Sequence, residues 1–313
     1  MRLSIKTLSS LLLLSVLISC NRLPVIKNTP TAYEINLQFT GSDFNRDRQK
    51  VFIQAAQTWM NVIEGDLQDI EEDNLPALEG VCGFDSPAPT GTVDDLLIFA
   101  RIAPIDGEGK VLARAGPAFI RTSNNLTIVG CMEFDNADVK VLEDEGTFPQ
   151  VILHEMGHVL GFGTFWEDAP SLLDESCSNN NRVTPGFKGA RAVLEFNVLG
   201  GTGNPPVEDS GGGGTRCSHW DEDFFDNELM TGFLGGVTSA TVNPLSRLTL
   251  GSLEDLGYDV DLSQGEIYAI PACSPNCDDA TLRAANAYEP WEIVLKPKAT
   301  IDNDGTIRLL EGR

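Results

Sequence analysis

QVILHEMGHVLGFGTFW, residues 150–166, sets His154 and His158 four apart in an otherwise apolar run. On an α-helix that spacing puts both imidazoles on one face, one turn apart. Two neutral imidazoles so placed can grip one zinc ion. Glu155 follows the first of them, so its carboxylate projects where it can take a proton from a water held at the metal. Gly161 and Gly163 then stop the helix. A polar helix face that matches HExxH by chance is the competing reading. Against it, Phe148, Val151, Ile152, Val159 and Leu160 make this a buried helix, where unpartnered His and Glu side chains are costly. The chain also holds only three histidines, two of them here.

A chain of 313 residues can bury a full core, and 42% hydrophobic with 22% charged residues is a globular balance. The net charge of −24 argues against nucleic acid and against electrostatic attachment to anionic lipid. Arg2 and Lys6 lead the apolar run 11–18, too short for a membrane span and suited to an export signal. Leu17-Ile18-Ser19-Cys20 resembles a bacterial lipobox, which implies that Cys20 is lipidated after removal of residues 1–19. A simple signal peptide cut nearby is the alternative. Under the lipobox reading, residues 20–30 are a tether and the lipid anchor is the sole membrane attachment. Asn21 then favours the outer membrane, with the domain facing the periplasm or the cell surface.

Six cysteines remain beyond Cys20, an even set that implies disulfides in an exported protein. Order along the chain suggests Cys82 with Cys131, Cys177 with Cys217, and Cys273 with Cys277. No CxxC pair supports a cysteine-based zinc site.

Alternation at Tyr33, Ile35, Leu37 and Phe39 predicts a first half-buried strand. Residues 45–70 carry Val51, Phe52, Ala55, Ala56, Trp59, Met60 and Ile63 at helical spacing, a long amphipathic helix covering one sheet face, with Trp59 in the core. Residues 96–103, 111–121 and 126–132 read as further strands, giving about five, separated by turns at 106–109 and 123–125. Calcium at Asp106, or at the aspartates near 302–304, is a secondary expectation, and an ordinary Asp-Gly turn is the simpler one. Glu143, Asp144 and Glu145 are expected to complement the dipole at the start of the zinc helix. Residues 168–216 are rich in Gly, Asn, Pro and Ser and read as long loops around one short helix, 189–198. Residues 246–256 predict another helix stopped by Gly257, and 291–295 with 300–310 predict a strand pair about Asn303-Asp304-Gly305.

A catalytic zinc site needs three protein ligands and an open position. In the compact metzincin spacing the third His would fall on Thr164, so the ligand comes from farther away. His219 is the remaining histidine, and Glu175 or Glu195 is the rival. The chain resembles the leishmanolysin family of metzincins through HEMGHVLGFGTFW, through Ser218-His219-Trp220 followed by Glu228-Leu229-Met230-Thr231-Gly232, through SRLTLGSLEDLGY at 246–258, and through AAQTWMNVIEGDL at 55–67. The resemblance implies an α+β metzincin-like fold with a twisted mixed sheet, a backing helix, an active-site helix and a loop-rich C-terminal subdomain. It implies His219 as third ligand and Met230 as the turn residue beneath the metal. The catalytic domain would span 31–268, divided near 163/164, with 269–313 a C-terminal extension.

The resemblance further implies a zinc endopeptidase acting on extracellular or periplasmic proteins, with Glu155 as general base and His154, His158 and His219 as ligands. A peptide would lie extended along residues 111–121, with 220–230 walling its side-chain pocket. Two other classes stay open: a catalytically silent zinc-containing adhesin or binding module, and a zinc hydrolase of a non-peptide amide. Nothing in the sequence speaks to an oligomeric state.

Overall fold

Strand β2 (Ile35–Thr40) begins the main sheet, its inward residues Ile35 and Leu37 buried. The computed structural model describes residues 23–24, 32–76, 79–168, 170–176, 184–212, 214–233, 243–272 and 291–310. A two-residue strand, β1 (Leu23–Pro24), pairs antiparallel to β2. Helix α1 (Arg46–Val62) follows, capped by the Asn45 side chain accepting from Arg48 N–H at 2.9 Å. It buries Phe52, Ala56, Trp59 and Met60 against the sheet, so Trp59 is core, its indole N–H donating to the Leu153 carbonyl at 3.0 Å. The helix is shorter than the sequence suggests. Ile63 turns extended and starts β3 (Ile63–Glu64), which pairs with β7 (Asp259–Val260).

Three long strands complete the sheet's centre: β4 (Leu96–Ala103), β5 (Val111–Arg121) and β6 (Thr127–Asp135). β2, β4 and β6 run parallel in that order, and β5 lies antiparallel beyond β6. Both faces are covered, which is why β6 is buried at every residue. One face carries α1 and the helix α3 (Phe148–Leu160) over a core including Ile35, Ile98, Met132, Ile152 and Met156. The other packs on the 66–95 connection through Ile70, Val81, Phe84 and Val93. Buried Arg121 ties that connection down by donating to the carbonyls of Gln68, Asp94, Asp95 and Thr127.

The acidic stretch before the zinc helix is itself a helix, α2 (Asn136–Glu145), capped by Asp135 and ended by Gly146 in the left-handed region. Glu143, Asp144 and Glu145 therefore form its last turn, and α3 has no acid in its first turn, so the dipole role expected for them fails. They serve instead on the surface, Glu143 pairing with Arg48 and Asp144 with Lys140. Beyond α3 come α4 (Ala190–Val198), α5 (Glu222–Phe225) and α6 (Arg247–Leu256), the last with Ser246 as cap and Gly257 as stop. Trp166, Phe187, Trp220 and Phe225 pack ring against ring beneath them. Trp220, Phe225, Leu229 and Met230 are thus core rather than pocket wall.

The C-terminal segment departs most from expectation. β8 (Trp291–Val294) does not pair with the final hairpin but runs parallel along β5. The hairpin is β9 (Ala299–Ile301) with β10 (Ile307–Leu309), and β9 continues along β5 at Phe119–Arg121. Asp106 accepts from Val111 N–H and Asp304 from Thr306 N–H, ordinary turn bonds that leave no support for calcium there.

Candidate metal centre

Pro149 opens α3 and Gly161, at φ 109°, closes it, so the helix is one short rigid rod in the core. Its period brings His154 and His158 to one face with their Nε2 atoms 3.0 Å apart. His219 arrives from the loop before α5, its Nε2 at 3.1 Å from that of His154 and 3.0 Å from that of His158. All three rings are buried.

Each outer ring nitrogen faces a carbonyl: His154 Nδ1 the Leu229 oxygen at 2.7 Å, His158 Nδ1 the Phe162 oxygen at 2.9 Å, and His219 Nδ1 the Thr215 oxygen at 2.9 Å. A carbonyl only accepts, so every Nδ1 carries the proton and every Nε2 presents a lone pair to the same point. Three lone pairs aimed at one another repel unless a cation lies between them. Nitrogens so spaced would leave one ion the usual ~2.0–2.1 Å zinc–nitrogen distance from all three, and the residues present therefore fit zinc. Burial pulls the His158 imidazole down to about 4, whereas at His219 burial also acts downward but the Glu292 carboxylate outweighs it and raises the ring.

The loop beneath the centre is built around Met230. A Cβ on Gly157 would stand only 2.9 Å from the Met230 methyl and 3.0 Å from its sulfur, so the glycine in HEMGH lets this side chain sit close under α3. The preceding carbonyl is the one that orients His154. Buried Glu228 holds the loop's shape, accepting from Met230 N–H at 2.6 Å, from Ser246 N–H and hydroxyl, and from the Thr249 hydroxyl at 2.6 Å. Glu195, the rival third ligand, is engaged by Arg247 at 2.8 Å, and Glu175 is exposed and outside the cluster.

Glu155 is buried, and its Oε1 has no hydrogen-bond partner among the described residues. Burial, and then the neighbouring carboxylate of Glu292, push it well above the usual carboxyl range. Glu292 is the residue that sequence reasoning missed. From β8 it reaches the histidines, with Oε1 at 2.6 Å from His219 Nε2 and 3.4 Å from His158 Nε2, and Oε2 at 3.3 Å from His154 Nε2. No spacing relates it to HExxH, and WEIVLK reads as an ordinary strand.

Cys82 and Cys131 form the expected disulfide. Cys217 is also disulfide-bonded, while Cys177, Cys273, Cys277 and Cys20, expected to carry a lipid, lie outside the described residues.

A family model described as Leishmanolysin matches residues 77–283. The leishmanolysin of Leishmania donovani is 29% identical over 197 residues, covering 59% of this chain and 32% of its own. That of Leishmania major is 29% identical over 172 residues, 53% of this chain and 27% of its own. The ciliated left-right organizer metallopeptidase of Xenopus laevis is 31% identical over 124 residues, 35% of this chain and 17% of its own. The chain thus spans less than a third of the length of these relatives.

Proposed function

Because this chain belongs to the leishmanolysin family, whose model takes in more than half of it, we propose that it is a zinc-dependent endopeptidase with its centre at His154, His158 and His219. The observation that carries this is the convergence of three buried Nε2 atoms, each fixed by a carbonyl behind it, with a partnerless Glu155 carboxyl oxygen beside them. Zinc held there supplies the charge that polarises a scissile carbonyl and acidifies water. Glu155 takes the proton of the attacking water and delivers it to the leaving amine. The Leu229, Phe162 and Thr215 carbonyls keep each ring in the tautomer that binds metal. Met230 and Glu228 hold the loop that carries the first of these carbonyls.

The apolar run 11–18, the lipobox-like Leu17-Ile18-Ser19-Cys20 and Asn21 support an address at the cell envelope, on the outer membrane, with proteins of the periplasm or the cell surface as substrates. A second reading is favoured by one observation: with Glu292 beside the histidines, four protein side chains surround the metal position, as in a structural zinc site. A silent binding module would have that closure, but it has no need of Glu155.

Glu155→Ala is expected to retain one zinc per chain and to lose about 10²–10⁴-fold in casein cleavage. His219→Ala is expected to lose the zinc itself. Retained cleavage in Glu155→Ala removes it as the base, and cleavage of an amide-containing cell-wall fragment in place of casein moves the chain to the non-peptide hydrolases.

A further inference from the structure

β5 is the strand at which the central sheet would end, and an extended peptide adds to such an edge through its backbone. Here the chain's own tail takes that place. β8 pairs with β5 from Val111 to Ala115, and Leu295 and Lys298 N–H continue the ladder to the carbonyls of Ala115 at 2.6 Å and Ala118 at 2.9 Å. The same strand delivers Glu292 into the metal centre.

We propose that Glu292 is a fourth protein ligand of the metal and that residues 291–296 are a built-in occupant of the cleft, which must leave before a peptide substrate enters. This rests on the peptidase reading of the centre. A carboxylate on the metal fills the position that a catalytic site keeps open, so the form described here is latent.

Both walls of the cleft are shaped to the tail. A Cβ on Gly116, within β5, would run into the Leu295 carbonyl, and one on Gly214, on the loop that leads to His219, into the Glu292 carbonyl. Glycine at both places lets the strand's backbone pass between them.

The tail's burial changes along its length in the way a latch requires. Ala299 and Ile301 of β9 are fully buried in the second core, and the Lys298 ammonium donates to the Val81 carbonyl at 2.6 Å. Ile293, Val294 and Leu295 are only half-buried. The part over the centre is therefore held by a short backbone ladder, the Glu292 carboxylate and the Lys296 ammonium on the Thr164 carbonyl, whereas its anchor belongs to the core. Residues 291–296 can swing away while β9 stays in the sheet.

The test uses the full chain loaded with cobalt(II), whose visible bands report a new ligand, and acetohydroxamate as the probe. Wild type is compared with Glu292→Ala, which removes the carboxylate, and with Gly214→Ala, which crowds the strand and removes no metal ligand. Each variant is expected to bind acetohydroxamate about tenfold or more tightly than wild type, which corresponds to about 1.4 kcal/mol or more. Casein cleavage by the zinc forms is expected to rise with it. Equal acetohydroxamate affinity in wild type and Gly214→Ala overturns the latch, including where Glu292→Ala fails to fold. Tighter probe binding by the variants with no casein cleavage by any of the three proteins keeps the latch and sinks the peptidase reading. Equal binding with equal cleavage does the reverse.

Discussion

Asp95 and Asp135 are both fully buried aspartates, yet their surroundings drive them in opposite directions. Asp95 accepts the N–H groups of Glu34 and Leu67, each at 2.6 Å, and burial outweighs both, raising its carboxyl to about 7. For Asp135 burial also acts upward, but four N–H donors, from Ile105, Asp106, Gly107 and Ala137, outweigh it and the carboxyl falls below the usual range. The linkage signs follow. Folded Asp95 binds its proton more tightly than the unfolded chain does, so its contribution is best below pH ~4 and is lost as pH rises through about 7. Asp135 contributes stability above its unfolded value near ~4 and loses it on further acidification. Urea unfolding between pH 4 and 7 should therefore show wild type losing stability, relative to Asp95→Asn, as pH rises. Parallel curves would mean that Asp95 does not titrate in this window. Neither behaviour was legible in the sequence, because the donors come from residues 28 and 61 positions away in the one case and, for three of the four, from a turn 28 to 30 positions away in the other. By contrast His154, Glu155 and His158 were legible, since one helix turn is enough to bring the two imidazoles together.

Among elements, the loop from Asp226 to Thr231 carries the most consequence for the centre. Glu228 gathers four donors from this loop and from the start of α6, and the Leu229 carbonyl beside it fixes His154. Glu228→Ala is expected to lower unfolding free energy by about 3 kcal/mol or more, since it strands several buried donors at ~1–3 kcal/mol each. Zinc affinity should fall about 10–100-fold through the loosened His154, as measured against a competing chelator. A variant of normal zinc affinity would mean that the loop keeps its shape without this carboxylate. α1 and α6 were readable from apolar period, and α6 also from its stopping Gly257, whereas α1 ends at Ile63 and α4 at Leu199 without a glycine. α2 was not read as a helix: its acidic residues masked a stripe of only Val139 and Leu142.

At the scale of the whole molecule, the Cys82–Cys131 bridge closes a loop of 49 residues and ties the 66–95 connection to the middle of β6. The chain-entropy relation gives about 4 kcal/mol for such a loop, and a Cys82→Ala/Cys131→Ala variant should lose stability of that order in urea unfolding. Loss of well under 1 kcal/mol would mean that the second core holds the connection unaided. The same core seats the anchor of the tail, so the covering of one sheet face and the closing of the metal centre are linked through β9.

What the amino-acid sequence determined by itself is what short-range geometry can carry: two histidines and a glutamate on one helix, strands by alternation, and the ends of α3 and α6 by their stopping glycines. The pairing of Cys82 with Cys131 followed from order along the chain, and His219 and Met230 from family resemblance. Only the tertiary structure decided that Glu292 meets the three histidines and that β8 lies on β5 instead of on the hairpin beside it in sequence. Parallel pairing between strands some 180 positions apart leaves no periodic or turn signature, so the partner of such a strand is chosen by the free edge and the glycine-lined cleft that the rest of the fold presents.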